Sequence, residues 1–312
     1  MIPNNFPLDG YKQLFFDIFT KNGNLFLICP VYNGPNDIST LKIMHKDKEL
    51  QLKKRISKIK VEPTEIFIYE FNSPDPRNKI TVTYQGKTRE YELDNLKING
   101  NNKLALTTLF KDDYKLINVF YDYYVKQGVS KFFLYYNGIL TDEIKNLYNK
   151  PGIVLVQWNF RYWNEKGVKY SHHAQLGQMH HAIYRFGKSN CDYMIFCDLD
   201  EYMYSNGVKL INLVNNNPNV DVFGFRNRWS NTLNNKIPEK FPTKFKTSDK
   251  IVFGSRSKCL YKVSSIRTIN IHFGHTFLKE DIKRLLIFSL FHFYNWCKTK
   301  RKHNTTQIIE IN

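Results

Sequence analysis

Cysteine is sparse in this chain and follows no pattern. The five residues, Cys29, Cys191, Cys197, Cys259 and Cys297, are odd in number and nowhere spaced Cys-x-x-Cys. That argues against a disulfide framework and against a cysteine zinc site, and makes a reducing compartment the default. Long apolar runs are missing too. The longest, Leu285 to Tyr294, is broken by Ser289 and His292 and is too short for the roughly 20 residues a bilayer requires. Met1 to Phe19 shows no basic start followed by an apolar core, so no signal peptide is expected. A soluble protein of the cytoplasm, or of a host cell's cytoplasm, is the expectation. Acid is the scarce charge: Asp+Glu number 28 against 46 Lys+Arg, for a net charge of +18. Such an excess suits an anionic partner, whether nucleotide diphosphate, membrane surface, acidic glycan or nucleic acid. A solvated lysine-rich surface is the plain alternative.

Aromatics are abundant, with 20 Tyr and 24 Phe, and 312 residues is long for one core. Two domains are therefore expected. Up to about residue 100 the pattern is all β. Leu25 to Val31 and Glu65 to Phe71 are apolar runs, and Ile80 to Tyr84 and Arg89 to Leu93 alternate about a Gln85-Gly86-Lys87 turn. This predicts a small β-sandwich accessory domain over 1–100. From Leu104 the rhythm becomes α/β. Strands are expected at 104–110, 131–136, 153–158 and 192–197, with helices near 114–127, 141–148 and 174–186 between them. The expected architecture is a Rossmann-like domain over 101–312, its sheet parallel through the strand that ends at the acids, with a mixed pattern beyond Tyr204. Residues 281–296 fit a helix or a strand equally.

The most informative segment is Asp192 to Tyr202. An apolar run ends in Asp198-Leu199-Asp200, followed by Glu201. Carboxylates crowded at a strand's C-terminal end are costly unless something positive is held there. In open α/β sheets that end is also where ligands bind. Two aspartates separated by one residue share a face of an extended chain, and their hard oxygens suit Mn²⁺ or Mg²⁺ together with phosphate oxygens. Loop acids or helix caps are the bland reading of the same triplet. A second dense group, His172, His173, His180 and His181, contains no pair four residues apart, which argues against a zinc hydrolase. Partial exposure near the donor site is expected for it.

Several segments, taken in order, resemble the family 92 glycosyltransferases and their family-2-like relatives of the GT-A fold. They are Leu104 to Asp113, Phe133 to Asn137, Gln178, Phe196 to Tyr202, Ile271-His272-Phe273, and His292-Phe293-Tyr294 with Trp296 and Lys298. The sequence departs from the family pattern at Tyr136, where an acid is usual.

The resemblance implies a metal-dependent, inverting hexosyltransferase that moves a sugar, galactose by analogy, from a UDP-sugar to a glycan acceptor. Mn²⁺ (or Mg²⁺) would be held by Asp198, Asp200 and a later histidine, His292 before His272. Donor contacts would come from Lys111, Asp112, Asp113, Gln178, Asp198 and Lys298. Helix capping explains the acids at 112 and 113 equally well. For the base that takes the acceptor proton, Glu239 is the first choice, with Asp249 a further candidate and Glu201 beside the metal. Trp229 and Trp163 are candidate sugar platforms or core residues. Peripheral contact with an anionic membrane is admitted by the charge. The alternatives are a basic nucleic-acid-binding protein and an inactive carbohydrate- or membrane-binding module. No recognised nucleic-acid motif is present.

Overall fold

The computed structural model describes residues 1–10, 12–30, 38–56, 64–70, 79–93, 102–163, 173–249, 256–272, 276–277, 281–296 and 303–311. Among those up to Leu93, every regular element is a strand. One four-stranded antiparallel sheet runs in the order Asp17–Lys21, Asn24–Pro30, Thr64–Glu70, Leu52–Ile56. A second runs Lys87–Glu92, Lys79–Tyr84, Lys42–His45, Lys48–Glu49. The expected hairpin is present, with Gln85 and Gly86 both at positive φ, as a two-residue turn requires. Ile18, Leu25 and Phe67 of the first sheet meet Ile43, Ile80 and Val82 of the second in one apolar cluster. The expected boundary near residue 100 lies outside the described residues.

The first sheet also packs on its other side. Phe19, Ile28 and Ile66 join a cluster with Leu176, Met179 and Ala182 from the C-terminal part. Gly177 makes this approach close: a Cβ there would lie 2.4 Å from a Phe16 ring carbon. An ion pair adds to it. Asp17, fully buried, meets both His181 and Arg185.

A ten-stranded sheet occupies the rest. Its strands are β1 (Asn102–Phe110), β2 (Lys131–Tyr136), β3 (Ile153–Gln157), β4 (Cys191–Phe196), β5 (Glu201–Tyr204), β6 (Val222–Asn231), β7 (Lys244–Thr247), β8 (Lys258–Lys262), β9 (Arg284–Phe293) and β10 (Gln307–Glu310). Its helices are α1 (Ile117–Lys126), α2 (Asp142–Leu147), α3 (His173–His181) and α4 (Leu210–Asn216). The main path is β3-β2-β1-β4-β8-β6-β7-β10, while β9 pairs with both β5 and β6. β1 to β4 are mutually parallel, as the alternation of strands and helices predicts. Beyond β4, where the sequence pattern is mixed, the pairing becomes mixed too. β8 joins β4 antiparallel, and β6 joins β8 antiparallel. No helix of the length seen in α1 separates those strands, so parallel crossovers are not required there.

Two local expectations are corrected. The undecided stretch 281–296 is the strand β9, parallel to β6 and antiparallel to β5. The helix expected to run on to Phe186 leaves α geometry at His181 and continues as a π-helical turn, Ala182–Gly187. That wider turn carries Arg185 to Asp17, alongside His181. No helix among the described residues is long and apolar enough to cross a membrane.

Candidate functional site

The C-terminal ends of β1 and β4 open into a cleft of about 400 Å³. β4 ends at Phe196, and the chain turns through Asp198 and Asp200 into β5. That turn is closed twice. Glu201 N donates to the Asp198 carbonyl at 3.1 Å, and Asp198 N donates to Glu201 Oε2 at 2.8 Å. Leu199 points into the core with no exposure, so Asp198 and Asp200 both face the cleft. From behind, two α1 tyrosines fix β5. The Tyr124 hydroxyl donates to the Glu201 carbonyl at 2.9 Å, and that of Tyr123 to the Met203 carbonyl at 2.6 Å.

His292 arrives on β9, whose register sets it opposite Glu201. Its Nε2 lies 3.1 Å from Asp200 Oδ2 and its Nδ1 3.1 Å from Asn227 Oδ1. Burial works against a charge on this imidazole, but Asp200 and then Glu201 outweigh it, and the pKa is raised. Trp229 packs on the ring, with centroids 4.6 Å apart, and His303 stacks on Trp229 at 3.8 Å.

A buried lysine holds the carboxylates from below. Lys258 Nζ is 3.0 Å from Asp198 Oδ2 and 3.4 Å from Glu201 Oε2. Burial opposes its charge, yet those two acids more than offset the penalty and its pKa rises. Glu201 is pushed up to about 7, first by burial and then by Asp198, against the pull of Lys258 and His292. Asp113, across the cleft, is raised to about 7 by burial and by Asp200. Its carboxylate accepts from Lys111 N at 3.2 Å.

Of the residues singled out from sequence, Lys111, Asp112, Asp113, Asp198, Asp200, Glu201, His272 and His292 all line this one cleft, although they come from four separate stretches of chain. Trp163 joins them at its lip, about half exposed. Gln178 does not. It is buried one turn deeper and donates to Thr107 Oγ1 at 2.6 Å, pinning α3 to β1. Gln175, three residues earlier, reaches Asp198 Oδ1 at 3.2 Å instead. Glu239 is exposed in the loop after β6 and lies outside the lining of the cleft. Asp249 is exposed too, and its carboxylate accepts from Thr306. Lys298 lies outside the described residues.

The histidine group is a correction as well, since partial exposure was expected. His173, His180 and His181 are fully buried, and His172 is outside the described residues. His180 bridges the Leu176 carbonyl at 2.7 Å and Ile269 N at 3.2 Å, so its Nδ1 donates and its Nε2 accepts. Burial lowers the pKa of both His173 and His180 to about 4.

Sequence reading missed Lys258, Gln175, Asn227 and Arg256. Lys258 opens a strand and carries no local motif, and its role exists only through the β4–β8 pairing. Arg256 lines the cleft, exposed, with its guanidinium 6.0 Å from the Trp229 ring.

A mixed sheet with a carboxylate and histidine cleft at the ends of its parallel strands defines an α/β protein whose cleft lies where such sheets take ligands. The model of glycosyltransferase family 92 matches residues 106–310, and the chain belongs to that family. Among solved structures, core-mannan synthase A (CmsA/Ktr4) from Aspergillus fumigatus in its Mn/GDP form aligns at 10% identity with a TM-score of 0.28. The alignment covers 48% of this chain and 55% of that one, so the chain spans about half the length of that protein. No curated protein matches.

Proposed function

We propose that the chain is a metal-dependent, inverting glycosyltransferase on a GT-A scaffold. It transfers a hexose, galactose being the first to test, from a UDP-sugar to a glycan acceptor. The observation that carries this reading is the contact between Asp200 and His292 inside the cleft that also holds Asp198. Their 3.1 Å separation suits two neighbouring ligands of an octahedral ion with bonds of about 2.1 Å, whose edge is about 3 Å. Among the described residues no three His, Cys, Asp or Glu side chains converge on one such position. Two protein ligands plus diphosphate oxygens is the usual arrangement for Mg²⁺-type ions in nucleotide sites.

When bound, the Mn²⁺ or Mg²⁺ supplies Lewis-acid stabilisation to the departing diphosphate. The remaining work falls to the chain. Asp200 and His292 hold the ion, with Asn227 fixing the imidazole. Lys258 and Gln175 orient Asp198 toward the ribose or the ion's water shell. Lys111, Asp112 and Asp113, at the end of β1, face the nucleoside. Arg256 and Lys111 bring positive charge to the diphosphate. Trp163, on the lip, offers a face for a sugar ring. The first hundred residues act as an accessory domain bracing α3.

The test is release of nucleoside diphosphate from a panel of nucleotide sugars, with and without Mn²⁺, in the wild type and in Asp200→Ala. Metal-dependent turnover of one donor, lost in the variant, supports the reading and names the sugar. Failure to bind UDP in the presence of Mn²⁺ sinks it.

A further inference from the structure

A second cleft is larger than the one with the carboxylates. About 640 Å³ in volume, it lies at the other end of α1, roughly 15 Å along the ten-residue helix. Tyr123, Tyr204 and Phe241 contribute its apolar wall. Val125 and Val208, 43% and 45% exposed, line it as well. Lys126, Lys209 and Lys240 complete it, all exposed, and Asp122 is the one carboxylate among the lining residues.

Each part of that surface selects against some occupants. A neutral glycan leaves three cations unused. Nucleic acid is poorly served, because the rings of the wall are packed on other rings, Tyr123 with Phe241 at 4.5 Å and Tyr204 with Phe291 at 5.4 Å, and the exposed valines have no face on which a base can stack. Lysine, a flexible point charge, suits phosphate presented without fixed geometry, whereas Arg would favour a planar fork. Aliphatic side chains ringed by lysines match a boundary where a charged layer lies over hydrocarbon.

We propose that this cleft seats the headgroup of an anionic phospholipid and docks the protein on a negatively charged membrane surface. Val125 and Val208 enter the headgroup boundary, while Lys126, Lys209 and Lys240 meet the phosphates. The proposal is independent of the transferase reading, because none of these residues belongs to the carboxylate cleft.

Co-sedimentation with vesicles tests it. The wild type is expected to bind phosphatidylserine-containing vesicles and to pass over pure phosphatidylcholine. The triple variant Lys126→Glu, Lys209→Glu, Lys240→Glu should lose at least about a hundredfold in partition, from about 1 kcal/mol per basic residue at such a surface. Val125→Ser with Val208→Ser should lose binding at unchanged charge. A matched control, Lys42→Glu with Lys48→Glu and Lys54→Glu, reverses three exposed charges on the N-terminal strands and should lose only a few-fold. Circular dichroism and unfolding midpoints confirm that each variant is folded. Equal loss in the control overturns the proposal, since net charge alone would then explain binding. So does equal binding to phosphatidylcholine. Retention on immobilised polyglutamate with no vesicle binding also overturns it, and makes the occupant an acidic polypeptide.

Discussion

Asp200 and His292 are 92 residues apart in sequence and 3.1 Å apart in space. They are joined because β5 and β9 pair antiparallel with Glu201 opposite His292. Asp200→Asn and His292→Ala should each lower Mn²⁺ affinity and donor turnover at least about a hundredfold, as loss of a metal ligand or its charge does. Manganese titration by electron paramagnetic resonance, run beside the diphosphate-release assay, checks both. Unchanged Mn²⁺ affinity in either variant would remove that residue from the ion.

Lys258 is expected to matter first for folding. Its side chain is 3% exposed between Asp198 and Glu201. Lys258→Met leaves Glu201, also buried, with His292 alone of its two cationic partners. Breaking a buried pair from one side costs about 3–5 kcal/mol. Urea denaturation should show this, and a loss below about 1 kcal/mol would mean that the pair is worth little.

Arg256 faces a cleft whose lining carries Asp112, Asp113, Asp198 and Asp200. Arg256→Ala should raise the KM for the donor about tenfold or more, the scale of one charge-assisted phosphate contact. Arg256→Lys should recover only part of it, because the planar fork is lost. Isothermal titration with UDP and Mn²⁺ gives the same comparison without turnover. An unchanged KM would place the guanidinium away from the diphosphate.

His173 and His180 should draw stability down as the pH drops from 6.5 toward 4, against the opposite pull of Asp113 and Glu201, whose folded pKa values lie near 7. His173 and His180 keep folded pKa values near 4 against about 6.5 in the unfolded chain. Between those values the unfolded state binds more protons, so unfolding becomes easier as pH falls. Asp17 adds to the loss further down. Burial opposes its charge, but Arg185 and His181 hold its folded pKa below the usual 3.8, so its contribution fades only below that value. Urea midpoints against pH measure the slope. His180→Gln, which retains an acceptor for Ile269 N, should shift the slope over pH 6.5 to 4 toward greater stability at the acid end. An unaltered slope would exclude His180 as its source.

Gly177→Ala places a methyl 2.4 Å from the Phe16 ring carbon. Overpacking of this kind costs about 1–3 kcal/mol. The shift should appear in the unfolding midpoint. A variant as stable as the wild type would show that α3 and the N-terminal sheet can move apart freely.

The sequence carried the first half of the fold well, because each strand and helix from Leu104 to Phe196 has its own period and its own stop. Thr141 caps α2 by accepting from Ile144 N, and Gly128 follows α1 at positive φ. The second half was less readable. β9 is buried through most of its C-terminal half, and a run buried on both faces has no period to separate strand from helix. The acids of the cleft were legible because three of them stand together after one strand. Lys258, Gln175 and Asn227 were not, because each gains its role from a partner on another element. Gln178 and Gln175 show the limit well: one helical turn decides which amide meets Asp198, and no local signal records it. The buried histidines were misjudged for the same reason. What meets them is distant in sequence from α3: Gln13 and Phe16 at His173, Asp17 and Phe19 at His181, and Ile269 at His180.

The pairing that brings His292 to Asp200 also sets an order of events. β9 must thread between β5 and β6, parallel to one and antiparallel to the other, and such long-range pairing is slow because loop closure precedes its reward. During synthesis the carboxylate turn leaves the ribosome about ninety residues ahead of its imidazole. A nascent chain in which Lys258 already meets Asp198 and Glu201 still carries Asp200 without its imidazole until the ninth strand of the sheet docks. Metal affinity would then serve as a clock for folding, rising only when the last part of the site is in place.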